Sequence, residues 1–569
     1  MKIVGINILS ESSVCLLENG KLKYAISEER INRKKNWYGL PFKSVDKLLK
    51  ETSNKISNID FFATCGLSAL TNDMPNHNYC NFKINKIKES DLAKSLKNRQ
   101  ITFLKKRNAH EDFVINHRTK KALFELKKKY KNLLVYDHHT AHAASACYNS
   151  GFKSGYSLTI DGWGDNASSK LFKYNNGQIS EISSTPSIDS LGYFYGGITK
   201  LLGFKPHQHE GKILGLAAYG NYKKALKDMH NIISFNKKTN QFEAHYENGL
   251  YQATYNNLNF RHLKKKYSKK DLAATAQYIL EKVVLDCVKN IKSKKFNLSL
   301  AGGVFANVKL NQKINKLNKV NKLYVFPNMG DGGLSVGAAS LCYFEKTKKI
   351  PTKVETVYLG PKYNNKEILS SIKKFNVKFS KPKNIEKTIA VHLSNNKIVA
   401  HFNDKMEFGP RALGNRSILC SAKDATINQS LNKKLQRTEF MPFAPITLKE
   451  SAKKYFIIGN NYDPYRFMTI TCNCRGVMVK SSPAAVHIDK TARPQIVDIK
   501  DNKRVYKIIQ EYKKITGTPI LINTSFNMHE EPIVCSPKDA LRAFIDGKID
   551  YLILNNYLIE GNETKKSHF

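Results

Sequence analysis

Asp137-His138-His139-Thr140-Ala141-His142 sets two imidazoles four residues apart, a spacing that places both on one face of a helix and lets them reach one metal ion. Two packed core histidines would produce the same spacing, so the pair alone decides nothing. Two further turns add carboxylates. Asp161-Gly162-Trp163-Gly164-Asp165 and Gly330-Asp331-Gly332-Gly333 each follow an apolar run with strand character and put an aspartate at its end. His138, His142, Asp161 and Asp331 together form a mixed nitrogen and oxygen set with room for an outside ligand. Such a set suits Fe(II) or another first-row divalent ion better than a closed structural zinc site, and Mg(II) less well.

Glycines lie near these residues. Leu300-Ala301-Gly302-Gly303-Val304-Phe305-Ala306-Asn307, Glu210-Gly211-Lys212 and the Gly332 turn could let backbone amides approach a nucleotide phosphate. Close strand–helix packing explains any single Gly-Gly equally well, and none of these stretches is a Walker A or dinucleotide fingerprint. A second constellation is built on arginine. Only 14 of the 93 basic residues are arginine, yet Arg411, Arg416, Arg437, Arg493 and Arg542 all fall in C-terminal blocks, with Lys434 beside Arg437. A chain that otherwise prefers lysine uses arginine where a planar, bidentate fork is needed for phosphate or carboxylate. Asn523-Thr524-Ser525-Phe526-Asn527 follows a buried strand and adds hydroxyl and amide groups suited to the same ligand.

The elements that position these groups read as α/β. Strand-like runs at Leu133–Tyr136, Ser157–Ile160, Leu298–Leu300 and Lys322–Phe326 alternate with helical stretches such as 271–292. Asn19-Gly20 between apolar runs predicts a hairpin. At 569 residues two domains are expected, 1–348 and 352–569, divided at a polar, proline-bearing segment, with a lysine-rich insert at about 85–131 and no internal repeat. No apolar run approaches a membrane span, and the first residues lack a secretory signal, so the expected address is cytoplasmic. The ten cysteines include one close pair, Cys472 and Cys474, whose spacing fits neither a zinc knuckle nor a redox motif. The formal charge of +46 keeps a polyanion in play as a partner, although lysine-rich codon usage accounts for part of it. A homodimer is left open.

Ser27-Glu-Glu-Arg-Ile-Asn-Arg-Lys-Lys-Asn-Trp-Tyr-Gly-Leu-Pro41, the His138–His142 and Glu210-Gly-Lys212 stretches, the two glycine turns and the C-terminal blocks together resemble the carbamoyltransferases of the nodulation-factor and antibiotic-tailoring type, across nearly the whole chain. The resemblance implies an N-terminal actin/sugar-kinase/Hsp70-like (ASKHA) domain, similar to the tRNA threonylcarbamoyl-transferring enzymes. In it His138, His142, Asp161 and Asp331 would hold an Fe(II)-like metal, with Lys212 near the transferred group or nucleotide. It also implies a C-terminal YrdC-like α/β domain that makes carbamoyl-adenylate from carbamoyl phosphate and ATP, with Mg. There Lys434, Arg437, Ser525 and Asn527 match its basic and Ser/Asn motifs, and Arg411, Arg416 and Arg493 would clamp phosphates. His139 is a candidate base, weighed against a structural histidine. Two departures are visible: Asn7-Ile-Leu-Ser-Glu-Ser-Ser13 where such enzymes often carry a histidine, and Glu530 where they usually carry glycine before Glu-Pro-Ile-Val. The acceptor is a hydroxyl. The charge leans it toward 5-hydroxymethylcytosine in DNA, as in related phage-type enzymes, with a sugar or small natural product as the alternative. A non-catalytic nucleic-acid-binding protein would leave the His/Asp quartet unexplained, and a sugar kinase would leave the arginine-rich half unexplained.

Overall fold

The computed structural model describes residues 1–70, 115–245, 261–436, 440–459 and 461–561. Its first sheet joins β1 (Lys2–Asn7), β2 (Ser13–Glu18), β3 (Lys21–Ser27), β4 (Phe61–Cys65) and β5 (Leu133–Tyr136) in the order β3-β2-β1-β4-β5. β1 to β3 are antiparallel neighbours, whereas β4 and β5 continue in parallel from β1. The expected hairpin turn is there: Asn19 and Gly20 both take positive φ, 49° and 77°, as a two-residue turn between right-twisted strands requires.

The second half of this domain repeats the plan. β6 (Ser154–Gly164), β7 (Ala167–Asn175) and β8 (Gln178–Pro186) form an antiparallel meander, β9 (Ile233–Asn236) and β10 (Gln241–Ala244) form a separate hairpin, and β11 (Phe296–Ala301) and β12 (Val320–Val325) run parallel to β6. The resulting order, β8-β7-β6-β11-β12, is the first sheet over again with the same strand directions. The duplication is one of topology, with no repeat in the residues to announce it, and it agrees with the ASKHA-type arrangement. Each sheet is followed by a helix that crosses to the other. His138–Ser150, which follows β5, packs on β6 and β11, while Leu334–Thr347, which follows β12, packs on β1, β2 and β4. The two helices lie against each other between the sheets, so their N-terminal ends meet at the centre of the domain.

The C-terminal half is also α/β. β13 (Val399–Phe402), β14 (Arg416–Ser421) and β15 (Ala444–Leu448) are followed by a small sheet of β16 (Phe456–Ile457), β17 (Cys472–Cys474) and β18 (Thr491–Ala492). β19 (Gln495–Val497), β20 (Ile520–Ser525), β21 (Tyr551–Leu554) and β22 (Tyr557–Glu560) then complete a seven-stranded sheet, β19-β15-β20-β14-β13-β21-β22. The period-two pattern sorts its faces. Val399, Leu419, Leu521 and Ile553 pack under the helices Ile385–Ser394 and Lys503–Thr516. Ala400, Ile418, Ile522 and Leu552 face the other way, into a core continuous with that of the second sheet. The halves are tied by polar contacts as well: Arg33 donates to the carbonyls of Ile533 at 2.7 Å and Pro532 at 2.6 Å, and Asn311 to that of Thr469 at 2.8 Å.

Of the lysine-rich insert, residues 115–129 are helical and pack Leu123 and Leu126 into the first core, leaving Lys127 and Lys128 exposed; residues 85–114 lie outside the described residues. The described cysteines are all free. Among the described residues no helix is long and apolar enough to cross a membrane.

Candidate metal centre and phosphate cavity

The helix His138–Ser150 starts where its orphan amides find two acids. Asp137 accepts from the Thr140 amide at 2.8 Å, and Asp165 accepts from the His138 amide at 2.7 Å. The i,i+4 spacing then brings the His138 and His142 rings edge to face at 4.7 Å, both fully buried. Gly164 makes room for them, since a Cβ there would sit 2.0 Å from the His138 ring. Asp161, near the end of β6, is aimed by the amides of Gly162 at 2.7 Å and Gly303 at 3.1 Å. Asp331 comes from the turn that opens Leu334–Thr347.

One ligand atom from each of His138, His142, Asp161 and Asp331 falls within 4.8 Å of all the others. His142 Nε2 is 3.2 Å from Asp161 and 3.5 Å from Asp331; His138 Nε2 is 4.0 and 3.7 Å from the same carboxylates. None of the four ring nitrogens makes a hydrogen bond among the described residues. Burial raises the Asp161 carboxyl, but the two imidazoles outweigh it and hold it well below the usual range. Burial and the Asp161 charge hold Asp331 well above it. Two half-buried carboxylates and two buried, unbonded imidazoles converging on one point are the donor set a divalent cation satisfies, so the residues fit the group expected of them.

His139 faces away from this point. It is fully buried, its Nδ1 lies 2.9 Å from Thr159 Oγ1, and burial followed by the neighbouring His138 pushes it down to about 3. Gly302 (φ 102°) donates to the Met329 carbonyl at 2.6 Å, linking the two glycine turns. Asn307 caps the helix Val308–Asn315 through the Leu310 amide at 3.0 Å. Gly332 donates at 3.3 Å to Glu11, a residue that the motifs did not single out. Glu11 stands in the turn that replaces the expected histidine, at φ 50°, and burial, then Glu29, raise its carboxyl.

A cavity of about 320 Å³ lies between the two halves. Its wall carries Lys35, Lys212, Arg411 and Arg493 but one carboxylate, Glu530, which Lys205 already pairs at 2.7 Å. Ser525, the last residue of β20, and Asn527 just past it line it as well. Lys212, expected near the transferred group or nucleotide, thus shares this wall with the C-terminal Arg411 and Arg493. Glu407 builds the loop that presents Arg411, accepting from the amides of Leu413 and Asn415 at 2.7 Å each and Arg416 at 3.2 Å. Glu530 takes φ 59°, so the left-handed backbone persists where glycine was expected.

Other sequence candidates sit elsewhere. The Arg416 guanidinium is fully buried, donates to the carbonyls of Asn403, Asn415, Pro361 and Asp404 at 2.7 to 3.3 Å, and stacks 3.6 Å over Phe402. It shapes the loop and does not face the cavity. Lys434 turns its amine to the Lys548 carbonyl at 2.5 Å and to Asp550 at 3.7 Å, away from the cavity wall. Arg542 pairs with Glu531, and Arg437 lies outside the described residues. The two centres adjoin. Ala306 of the cavity wall is three residues from Gly303, and the loop before Arg411 packs on the Asp331 turn, where a Cβ on Gly409 would be 3.3 Å from the Pro327 carbonyl. Arg30 fastens that loop by donating to the Gly409 carbonyl at 3.1 Å.

Comparison with known proteins matches the same two halves. The family model described as Carbamoyltransferase N-terminus covers residues 2–340, and the one described as Carbamoyltransferase C-terminus covers residues 390–561. Two uncharacterised proteins of Methanocaldococcus jannaschii are similar: one is 36% identical over 77% of this chain and 75% of its own length, the other 32% over 98% and 99%. Nodulation protein NolNO of Sinorhizobium fredii is 29% identical over 97% of this chain and 79% of its own length. With both halves matched by one family's models and the His/Asp cluster assembled within the first of them, the chain belongs to the carbamoyltransferase family and is a transferase.

Proposed function

We propose that this carbamoyltransferase is ATP-dependent and works in two stages, activating the carbamoyl group in the cavity and transferring it to an acceptor hydroxyl beside the His/Asp cluster. The observation that carries this reading is the cavity wall: four basic side chains from both halves against a single, already paired carboxylate, adjoining the cluster. Such a wall suits a ligand with several phosphates, as carbamoyl phosphate and ATP present together.

Carbamate is a poor electrophile, so it must be joined to a good leaving group. Carbamoyl phosphate first loses its phosphate to water; a carbamate oxygen then attacks the α-phosphorus of ATP, releasing pyrophosphate and leaving carbamoyl-adenylate. Arg411, Arg493, Lys212 and Lys35 bind the phosphates and balance the charge that develops on them. Ser525 supplies a hydroxyl at the end of β20, and Asn527 holds the loop that follows by donating to the Met528 and Glu531 carbonyls at 2.7 and 3.0 Å. Lys434 and Arg416 act on the fold of this domain and not on the ligand. The acceptor oxygen next attacks the carbamoyl carbon, AMP departs, and an O-carbamoyl ester forms. His138, His142, Asp161 and Asp331 would hold a divalent ion such as Fe(II), which supplies Lewis acidity toward a carbonyl or phosphate oxygen. His139, bonded to Thr159, positions the helix that carries the two ligands.

The net charge of +46 favours a polyanionic acceptor, and 5-hydroxymethylcytosine in DNA offers both the phosphates and the hydroxyl. A target base inside a duplex would have to leave the stack. The test is to incubate the protein with ATP, Mg, carbamoyl phosphate, Fe(II) and either hydroxymethylcytosine DNA or a panel of nucleotide sugars, and to weigh the products. A carbamoyl mass on the digested nucleoside supports the DNA acceptor. Carbamoyl mass on a sugar alone rejects it while keeping the transferase chemistry.

A further inference from the structure

His487 is 6% exposed, lines the cavity that holds Lys212, Arg411 and Arg493, and has a buried Nε2 with no hydrogen-bond partner among the described residues. Its other nitrogen is held. Nδ1 lies 3.5 Å from Asp489 Oδ1, and Asp489 is fixed in turn: Oδ1 accepts from the Thr491 hydroxyl at 2.5 Å and amide at 3.1 Å, and Oδ2 pairs with Lys309 at 2.5 Å. Burial raises the Asp489 carboxyl, but His487, Lys309 and Thr491 outweigh it and hold it far below the usual range. The backbone makes the same arrangement rigid. The His487 amide donates to the Thr491 carbonyl at 2.8 Å, and Lys490 turns at φ 58° to bring Asp489 back toward the ring. The Tyr219 ring meets the imidazole edge to face at 5.7 Å.

An ionised carboxylate facing Nδ1 selects the tautomer that carries its proton there, which leaves the Nε2 lone pair toward the cavity. A buried acceptor beside a phosphate-binding wall is placed to take a proton from water, and the activation reaction needs one taken. We propose that His487 is the general base for attack of water on carbamoyl phosphate, with Asp489 as its positioning residue. This rests on the adenylation reading given above. The water oxygen bonds to the carbamoyl carbon and the bond from that carbon to the phosphate oxygen breaks, its electron pair leaving with phosphate. One water proton passes to Nε2 and on to the departing phosphate as HPO₄²⁻; the other leaves with carbamic acid, which ionises to carbamate. Lys212, Arg411 and Arg493 hold the phosphate as it departs.

Free carbamate bypasses this step, which makes the test selective. Pyrophosphate release from ATP by full-length protein is measured with carbamoyl phosphate and, separately, with ammonium carbamate, for wild type, His487→Gln and Asp489→Asn. The expected result for His487→Gln is a loss of at least about 100-fold with carbamoyl phosphate, the range for removing a general base, and a rate within about threefold of wild type with carbamate. Asp489→Asn shows the same selectivity with a loss of roughly 10-fold, as expected of a group that acts through the imidazole. Carbamate turnover also reports that each variant is folded. Equal loss with both donors, or no loss with either, overturns the proposal. Wild type that releases no pyrophosphate with either donor overturns the adenylation reading itself, and this proposal with it.

Discussion

Replacing Gly337 by alanine tests whether the metal cluster is set by the crossing of two helices. A Cβ at Gly337 would sit 1.9 Å from the Ala141 carbonyl oxygen and 2.6 Å from its carbon, both backbone atoms that no rotamer change can move. An ordinary carbon–oxygen contact is about 3.3 Å, so the helices must separate locally by roughly 1.4 Å. Ala141 is next to His142 on one helix, and Gly337 is six residues after Asp331 at the start of the other. The separation therefore pulls the imidazole and the carboxylate apart. Overpacking of this kind costs about 1–3 kcal/mol, or a few degrees in melting temperature for a chain of this size. A misplacement near 1 Å costs about 100-fold in a positioned reaction. The phosphate cavity draws no wall residue from either helix, so pyrophosphate release should stay within about threefold of wild type. The assay pairs pyrophosphate release with carbamoyl product at a temperature where the variant is fully folded. Unchanged transfer, or equal loss of both activities, refutes the reasoning.

Further outcomes follow from the same geometry. Asp161→Asn should lower bound divalent metal from about one per chain to under a tenth at micromolar metal, because the ligand's charge is lost and one of the two amides that aim it, from Gly162 or Gly303, then faces an NH2 in place of an oxygen; plasma emission analysis of desalted protein reads this directly. Arg411→Lys should reduce pyrophosphate release by about 10–100-fold with little change in stability, since a point charge replaces a fork. Arg416→Lys should instead lower stability by about 3 kcal/mol, because carbonyls of a fully buried loop lose their donors, as a urea midpoint would show. His401 is fully buried, its Nδ1 lies 2.6 Å from the Gly414 carbonyl, and burial pushes it down to about 3 from an ordinary 6.5. Its neutral form is the folded one, so its contribution is complete above pH 6.5 and is lost as pH falls toward 3. Between pH 7.5 and pH 5 the loss is about 2 kcal/mol, and His401→Gln should remove that part of the slope in urea titrations.

The meeting of the His/Asp cluster was legible because its signals are local. The i,i+4 histidines report a helix face, and each aspartate sits in a glycine turn at a strand end. The duplication was not legible, because β1 and β6 share a place in a topology and not a pattern of residues. The arginines mislead for a related reason. Arg411 and Arg416 are five residues apart in one loop, yet Arg411 lines the cavity while Arg416 is spent on the carbonyls that fold that loop. Nothing in residue type separates the two; only the buried Glu407 and the path of Phe408–Arg416 do. The company Lys212 keeps was not legible, since the cavity wall is built by bringing Glu210–Ala217 against residues that come far later in the chain, such as Met441 and Arg493. Glu11 had no signal beyond its place in an atypical turn. His487 did: a histidine two residues before an aspartate, in the same block as Arg493, is the spacing that folds back to orient a ring.

The central claim is that activation and transfer are separate chemistries in adjoining centres. It is tested most directly by resolving the products from α-labelled ATP in wild type and in His142→Ala, with carbamoyl phosphate present and acceptor supplied. Wild type should yield AMP, pyrophosphate and carbamoylated acceptor, and His142→Ala should yield pyrophosphate at near wild-type initial rate with no carbamoylated acceptor. Release of ADP in place of AMP, or loss of pyrophosphate release together with transfer in the variant, would contradict it.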